Sequence, residues 1–229
     1  TLTFTPKLNQ TGTDTVTVKA LDNGGTARGG TNGSPTQTFT VVVTATNDPP
    51  VIKGLTNKSF NEDTTTNLVF TVSDVDGAVA SITIAASSSD TALIPNANIV
   101  PGVSGTNRVL AVTPATNANG TPAVITVVAT DSSGVTTTTN FTLTVLSVND
   151  KPSFTLTPAT VTTLEDTAFT LPNFATNILA GPTNESSQTV TFTVTTGNTN
   201  LYQVKPAIST AGTLTFTPKL NQTGTDTVT

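Results

Sequence analysis

TLTFTPKLNQTGTDTVT opens the chain at residues 1–17 and closes it at residues 213–229, letter for letter. Within it, Leu2/Phe4 and Leu214/Phe216 alternate with threonine, and residues two apart share one face of a strand. The segment therefore reads as β structure, and its recurrence at an offset of 213 − 1 = 212 residues marks one period of a longer tandem array. Arrays act through reach, stiffness and repeated contacts more than through one reactive centre. A non-catalytic structural role is the first expectation.

The same alternation runs through the rest of the chain. Phe39/Val41/Val43, Leu68/Phe70/Val72, Ile82/Ile84, Phe141/Leu143/Val145 and Val190/Phe192/Val194 each leave an apolar face and a hydroxyl-rich face. Clusters of Gly, Asn, Asp and Pro separate these runs at intervals of roughly ten residues, the spacing of a β-sandwich. No stretch sustains a 3.6-residue period. The expected class is all-β, with tandem seven-stranded immunoglobulin-like sandwiches.

Composition agrees with that class and narrows the function. Threonine, the commonest residue, is β-branched and favours strands over helices. The 229 residues carry a net charge of −5 and only 10% charged residues. Without a basic patch, the chain is not expected to bind nucleic acid or an anionic membrane. Cys, His, Met and Trp are absent among the 229 residues, and Tyr202 is the single tyrosine. That composition excludes a disulfide framework, a thiolate site, a usual zinc site and a Ser-His-Asp arrangement. No 18-residue apolar run marks a membrane span in this segment.

Two proline-bearing linkers set the expected domain boundaries. Thr46-Asn47-Asp48-Pro49-Pro50 and Val148-Asn149-Asp150-Lys151-Pro152 follow the strands expected at 38–44 and 141–145. Proline ends a ladder and extends the chain beyond it. The linkers are 150 − 48 = 102 residues apart, close to the ~100 residues of one sandwich. Residues 49–150 are therefore read as one complete domain, type A. Residues 151–229 are read as the N-terminal part of a type B domain, and residues 1–48 as the C-terminal part of another. The two types are weakly alike: VLAVTP at 109–114 matches TLTFTP at 213–218, Asn117–Gly120 matches Asn221–Gly224, and NEDT at 61–64 matches LEDT at 164–167.

With its Asn-Asp-x-Pro linkers, Glu-Asp-Thr near each domain start, Ser73-Asp74-Val75-Asp76-Gly77 and Thr130-Asp131-Ser132-Ser133-Gly134, the chain resembles the cadherin-like and immunoglobulin-like tandem repeats of large bacterial surface adhesins. SSSDTALIPNANIV at 87–100 and NILAGPTNESSQTVTFTVTT at 177–196 add to the likeness, which covers essentially the whole chain. The resemblance implies an extracellular stalk at a cell surface or in a secreted fibre, often stiffened by Ca2+ between domains. By resemblance the ion-binding role falls on Asp48, Glu62, Asp74, Asp76 and Asp131, with Gly77 expected to supply a positive φ in the Asp-x-Asp-Gly turn. At the other junction Asp150, Glu165, Asp22 and Glu185 are the candidates. There Asp-Val-Asp-Gly is replaced by residues 174–185, with Glu185 the only acid. Asp, Asn and Gly are equally what ordinary β-turns require, so turn chemistry alone stands beside calcium as a reading of these residues.

Other functional classes find less support. Gly24-Gly25-Thr26-Ala27-Arg28-Gly29-Gly30 lacks the strand-to-helix context of a phosphate loop and reads as a long hairpin loop. Adjacent Glu62 and Asp63 point to opposite faces of a strand, the wrong geometry for a glycosidase pair. Ten phenylalanines fall mostly at core-type positions, which argues against a sugar-stacking module. Asn-x-Thr sequons such as Asn9-Gln10-Thr11 and Asn140-Phe141-Thr142 follow from composition. The expected partners are neighbouring repeats of the same protein, including laterally packed copies. An alternative is a subunit of an extracellular filament or sheath assembled by lateral packing or strand complementation.

Overall fold

The computed structural model describes all residues, Thr1–Thr229. It is all-β, with fifteen strands and only five single-turn 3-10 segments. The strands are β1 (Gly12–Val18), β2 (Gln37–Val43), β3 (Val51–Lys53), β4 (Lys58–Asn61), β5 (Thr66–Ser73), β6 (Thr83–Ser88), β7 (Ile99–Ser104), β8 (Asn107–Val112), β9 (Ala123–Thr130) and β10 (Thr136–Leu146). They continue with β11 (Ser153–Leu156), β12 (Phe169–Leu171), β13 (Ala175–Leu179), β14 (Tyr202–Ile208) and β15 (Leu214–Pro218).

Two four-stranded sheets form the sandwich, ordered β3-β5-β8-β7 and β4-β10-β9-β6. Its first strand is broken: Gly54, at φ +96°, separates β3 on one sheet from β4 on the other. Counting that broken strand once gives seven strands. Period-two alternation is explicit in β5, where Thr66, Leu68, Phe70 and Val72 are buried and the residues between them exposed. Ile125, Val127 and Ala129 of β9 repeat the pattern, and with Leu110, Val112, Ile94 and Leu143 they make a fully buried core.

By contact density the chain divides into two compact units. The first comprises Thr1–Lys58, Thr66–Val112 and Ala123–Leu143; the second comprises Ser59–Thr65, Thr113–Pro122 and Thr144–Thr229. The first holds the β1–β2 hairpin, paired in register from Gly12↔Val43 to Val18↔Gln37. Residues 24–30 lie in the loop of this hairpin. The second holds a sheet ordered β12-β15-β14 and the pair β11-β13. Phe169 and Tyr202 both pack on Phe216 there, with ring centroids 5.0 and 5.8 Å away.

Candidate functional site

Each linker is tied down by the same device. In the first unit the backbone N–H of Asp48 donates to Asp76 Oδ2 at 2.7 Å, and Asn47 Nδ2 donates to Asp131 Oδ2 at 2.7 Å. In the second, the N–H of Asp150 donates to Glu185 Oε1 at 3.0 Å. Glu185 thus does for the second linker what Asp76 does for the first, although the turn around it is a 3-10 segment, Thr183–Glu185.

Around the first linker, Asp74 Oδ1 accepts from the N–H groups of Asp76 and Gly77, which closes the Asp-Val-Asp-Gly turn. Gly77 does not adopt a positive φ. A Cβ there would make only ordinary van der Waals contact with the Asp74 carboxylate, at 3.5 Å, so the turn shows no steric need for glycine either. Asp131, nearly buried, takes Oδ1 bonds from Ser133 and Val135 N–H as well as the Asn47 amide on Oδ2. The Asn47 bond, reinforced by these backbone donors, holds the Asp131 carboxyl below the usual carboxylate range.

Glu62 belongs to the second unit and not to the group around Asp48. The residue is 1% exposed. Oε1 accepts from Val148 N–H at 2.7 Å and Oε2 from Asn119 Nδ2 at 3.0 Å, so it clasps the strand that leads into the second linker. β3 and β4 explain the reassignment. Extended chain rises about 3.3 Å per residue, so the loops before and after them are different loops.

The second linker is the more acidic. Asp150 lies in the field of Glu185, Asp63 and Glu62, and burial together with those charges raises its carboxyl above the usual range. Three buried carboxylate oxygens have no hydrogen-bond partner: Asp74 Oδ2 at the first linker, and Asp150 Oδ2 and Glu185 Oε2 at the second. Every donor to the linker carboxylates is a backbone or amide N–H, none a lysine or arginine. No group of three or more acidic side chains is assembled into a metal centre. Buried ionised carboxylates are costly unless paired or ligated, and these three oxygens have no partner within the chain.

The remaining candidates stand apart. Asp22 caps its own hairpin loop, accepting from Gly24 N–H at 2.8 Å. Glu165 is exposed and accepts no hydrogen bond. Its neighbour Asp166 accepts from Asn221 N–H at 2.8 Å, as Asp63 accepts from Asn117 N–H at 2.9 Å. All four of these residues have positive φ, from 54° to 65°. That paired corner is the structural content of the Glu-Asp-Thr and Asn-x-x-Gly matches, which in the sequence register only as domain likeness. Asn47 and Asn119 are further linker-holding residues whose only signal was their place in those motifs.

Neither a protein-family profile nor a curated protein matches the chain. Among solved structures it is similar to the human desmocollin-1 ectodomain, at 16% identity and TM-score 0.45, over 91% of this chain and 40% of that one. The protocadherin gamma B2 extracellular domains 1–5 match at 14% identity and TM-score 0.47, over 91% and 39%. Domains 1–6 of a surface layer protein match at 15% identity and TM-score 0.35, over 91% and 25%. The chain spans about two-fifths of the length of the cadherin structures it matches. Its β fold is immunoglobulin- and cadherin-like, as the broken first strand and the two sheet orders show. No helix is long and apolar enough to cross a membrane.

Proposed function

We propose that the chain is a non-catalytic structural segment of an extended bacterial surface protein, a stalk or fibre whose sandwich-to-sandwich linkers are stiffened by Ca2+. The observation that carries this reading is the repetition of one device. An Asn-Asp linker bonds through its aspartate N–H to a carboxylate, and a buried carboxylate oxygen beside each linker is left without a donor. A catalytic pair would need one such arrangement, whereas a joint needs one at every linker.

Asp48, Asp74, Asp76 and Asp131 would have to close onto the ion at the first linker, and Glu62, Asp150 and Glu185, with Asp63 nearby, at the second, since no three of these acids are gathered into a ready-made site. When bound, Ca2+ supplies charge neutralisation and demands six to eight oxygens, which carboxylates, carbonyls and water together can meet. The side chains themselves fix the linker backbone and keep the acids poised close to it. Expected partners are adjacent repeats, and the setting is extracellular.

Thermal unfolding with millimolar Ca2+ and with chelator tests the reading. A midpoint raised by Ca2+, with the gain reduced by Asp74→Ala or Asp76→Ala, supports it. An unchanged midpoint would mean that these acids serve only their turns and that the linkers rely on proline and packing.

A further inference from the structure

Three Asn-Gly dipeptides occur in the sequence, at residues 23–24, 32–33 and 119–120. Glycine has no Cβ, so nothing shields its backbone nitrogen from the side-chain carbonyl of the asparagine before it. Each dipeptide therefore carries its own nucleophile beside an amide. What the surrounding chain does to that pair differs at the three places.

Two of them are restrained. Gly24 N–H donates to Asp22 Oδ1 at 2.8 Å, so a carboxylate holds the proton that would have to leave. Gly120 N–H donates to the Val145 carbonyl at 3.2 Å, and the Asn119 amide is itself bonded to Glu62 Oε2 at 3.0 Å. There both the nucleophile and the amide are tied.

At Gly33 the arrangement is reversed. Leu21 and Gly33 form an isolated antiparallel bridge, flanked by bonds from Asp22 N–H to Asn32 O and from Ser34 N–H to Ala20 O, each at 2.9 Å. In such a pair the flanking bonds carry the ladder, and the N–H of the residue between them points away from the opposite strand. Gly33 N–H is thus left without an acceptor. The side-chain bonds at this end of the hairpin involve Asp22 and Ser34, and none reaches the Asn32 amide. Lys19 lies over the same glycine: a Cβ on Gly33 would collide with Lys19 Cε and come within 2.9 Å of Nζ. A cation there favours the negative charge that develops on the attacking nitrogen and then on the Asn32 side-chain oxygen. Asp22 beside Gly24 does the opposite.

We propose that Asn32 is a self-modification site, at which the folded chain converts asparagine to aspartate and isoaspartate with water as the only co-reactant. Gly33 N–H gives its proton to water, its nitrogen bonds to Asn32 Cγ, and the side-chain nitrogen takes up a proton and leaves as ammonia. Water then adds to one of the two carbonyls of the resulting succinimide ring and breaks the C–N bond there. Opening on one side leaves aspartate and on the other isoaspartate. One amide and one water become one carboxyl and one ammonia, with no change of oxidation state. Isoaspartate routes the backbone through the former side chain, which adds a methylene and withdraws the Asn32 carbonyl from Asp22 N–H. The bridge that closes the 22–32 loop therefore has a chemical lifetime, whether or not the linkers hold a cation.

Ageing the full chain in chelator at mildly alkaline pH tests this, with peptide mapping by mass spectrometry and enzymatic methylation of isoaspartate as readouts. Conversion at Asn32 should outpace Asn23 and Asn119 about tenfold, the factor that one hydrogen bond to a charged group supplies. Lys19→Ala should slow Asn32 severalfold and leave Asn119 unchanged. Asp22→Ala frees Gly24 N–H and should speed Asn23 about tenfold. In guanidinium the three rates should converge. Conversion at Asn32 no faster than at the other two, or the same ranking in guanidinium, would overturn the proposal. An unchanged rate in Lys19→Ala would overturn the part given to Lys19.

Discussion

The linker at Asn47-Asp48 and the linker at Asn149-Asp150 share their sequence and their backbone bond but differ in electrostatics. Around Asp48 the acids are largely spent on N–H groups, Asp74 Oδ2 excepted. Asp131 accepts three bonds and is held below the usual carboxylate range, and Asp74 closes its own turn. Around Asp150 the acids face one another, and the Asp150 carboxyl is raised by burial and by Glu185, Asp63 and Glu62. One linker motif can therefore sit in a preorganised turn or in a repulsive cluster, and the difference is set by residues far away in the chain. Under the proposed calcium reading, the second linker has more to gain from a cation.

The largest effect that would sharpen this contrast is expected at Glu62. Its truncation to alanine strands Val148 N–H and the Asn119 amide, and hydrogen bonds to charged groups contribute about 1.5–3 kcal/mol each. Glu62→Ala should lower stability by about 3 kcal/mol in chemical denaturation, the two losses being less than additive. Its counterpart Glu165→Ala, exposed and unbonded, should stay within about 0.5 kcal/mol of the parent. Equal losses at the two positions would break the comparison.

Acidification should act with opposite sign at the two linkers. Asp131 has a lowered folded-state pKa, so its stabilisation is fully present above the ordinary value of 3.8 and is lost as pH falls below that toward the lowered folded-state value. Asp150 has a raised pKa, so its ionisation opposes folding, and that penalty is relieved as pH falls through the raised value toward 3.8. In chelator, Asp131→Asn should flatten the acid loss of stability, and Asp150→Asn should raise stability near neutrality. Unfolding followed from pH 7 to pH 3 reads both, and the same sign at both positions would contradict the electrostatic distinction.

The smallest expected effect is at the paired corners. Asp63→Ala and Asp166→Ala each remove one bond to an asparagine N–H at an exposed turn, and each should cost about 1 kcal/mol. Similar values would show that the corner is one motif used twice. A cost at Asp63 alone would tie it to the Asp150 cluster instead.

Much of this was legible in the sequence, for identifiable reasons. Leu68/Phe70/Val72 and Phe141/Leu143/Val145 announce strands because a half-buried strand has a two-residue period and little else imitates it. Proline after Asn-Asp marks the linkers because it cannot continue a ladder. Resemblance groups Glu62 with Asp48, and the sequence does not show that its carboxylate bonds Val148 N–H and the Asn119 amide instead. Glu185 stood out only as the sole acid in its segment, since a 3-10 turn and an Asp-x-Asp-Gly turn share no pattern. Identical sequence at 1–17 and 213–229 also could not reveal that each copy would order a different half, because strand order depends on the neighbour available.

The most direct test of the cation-held linker is calorimetric titration of the intact chain with Ca2+, alone and as Asp76→Asn and Glu185→Gln. Two sites are expected, with the tighter lost in Glu185→Gln and the other lost in Asp76→Asn. Absence of binding, or binding untouched by both substitutions, would show that the linker acids hold backbone and nothing more.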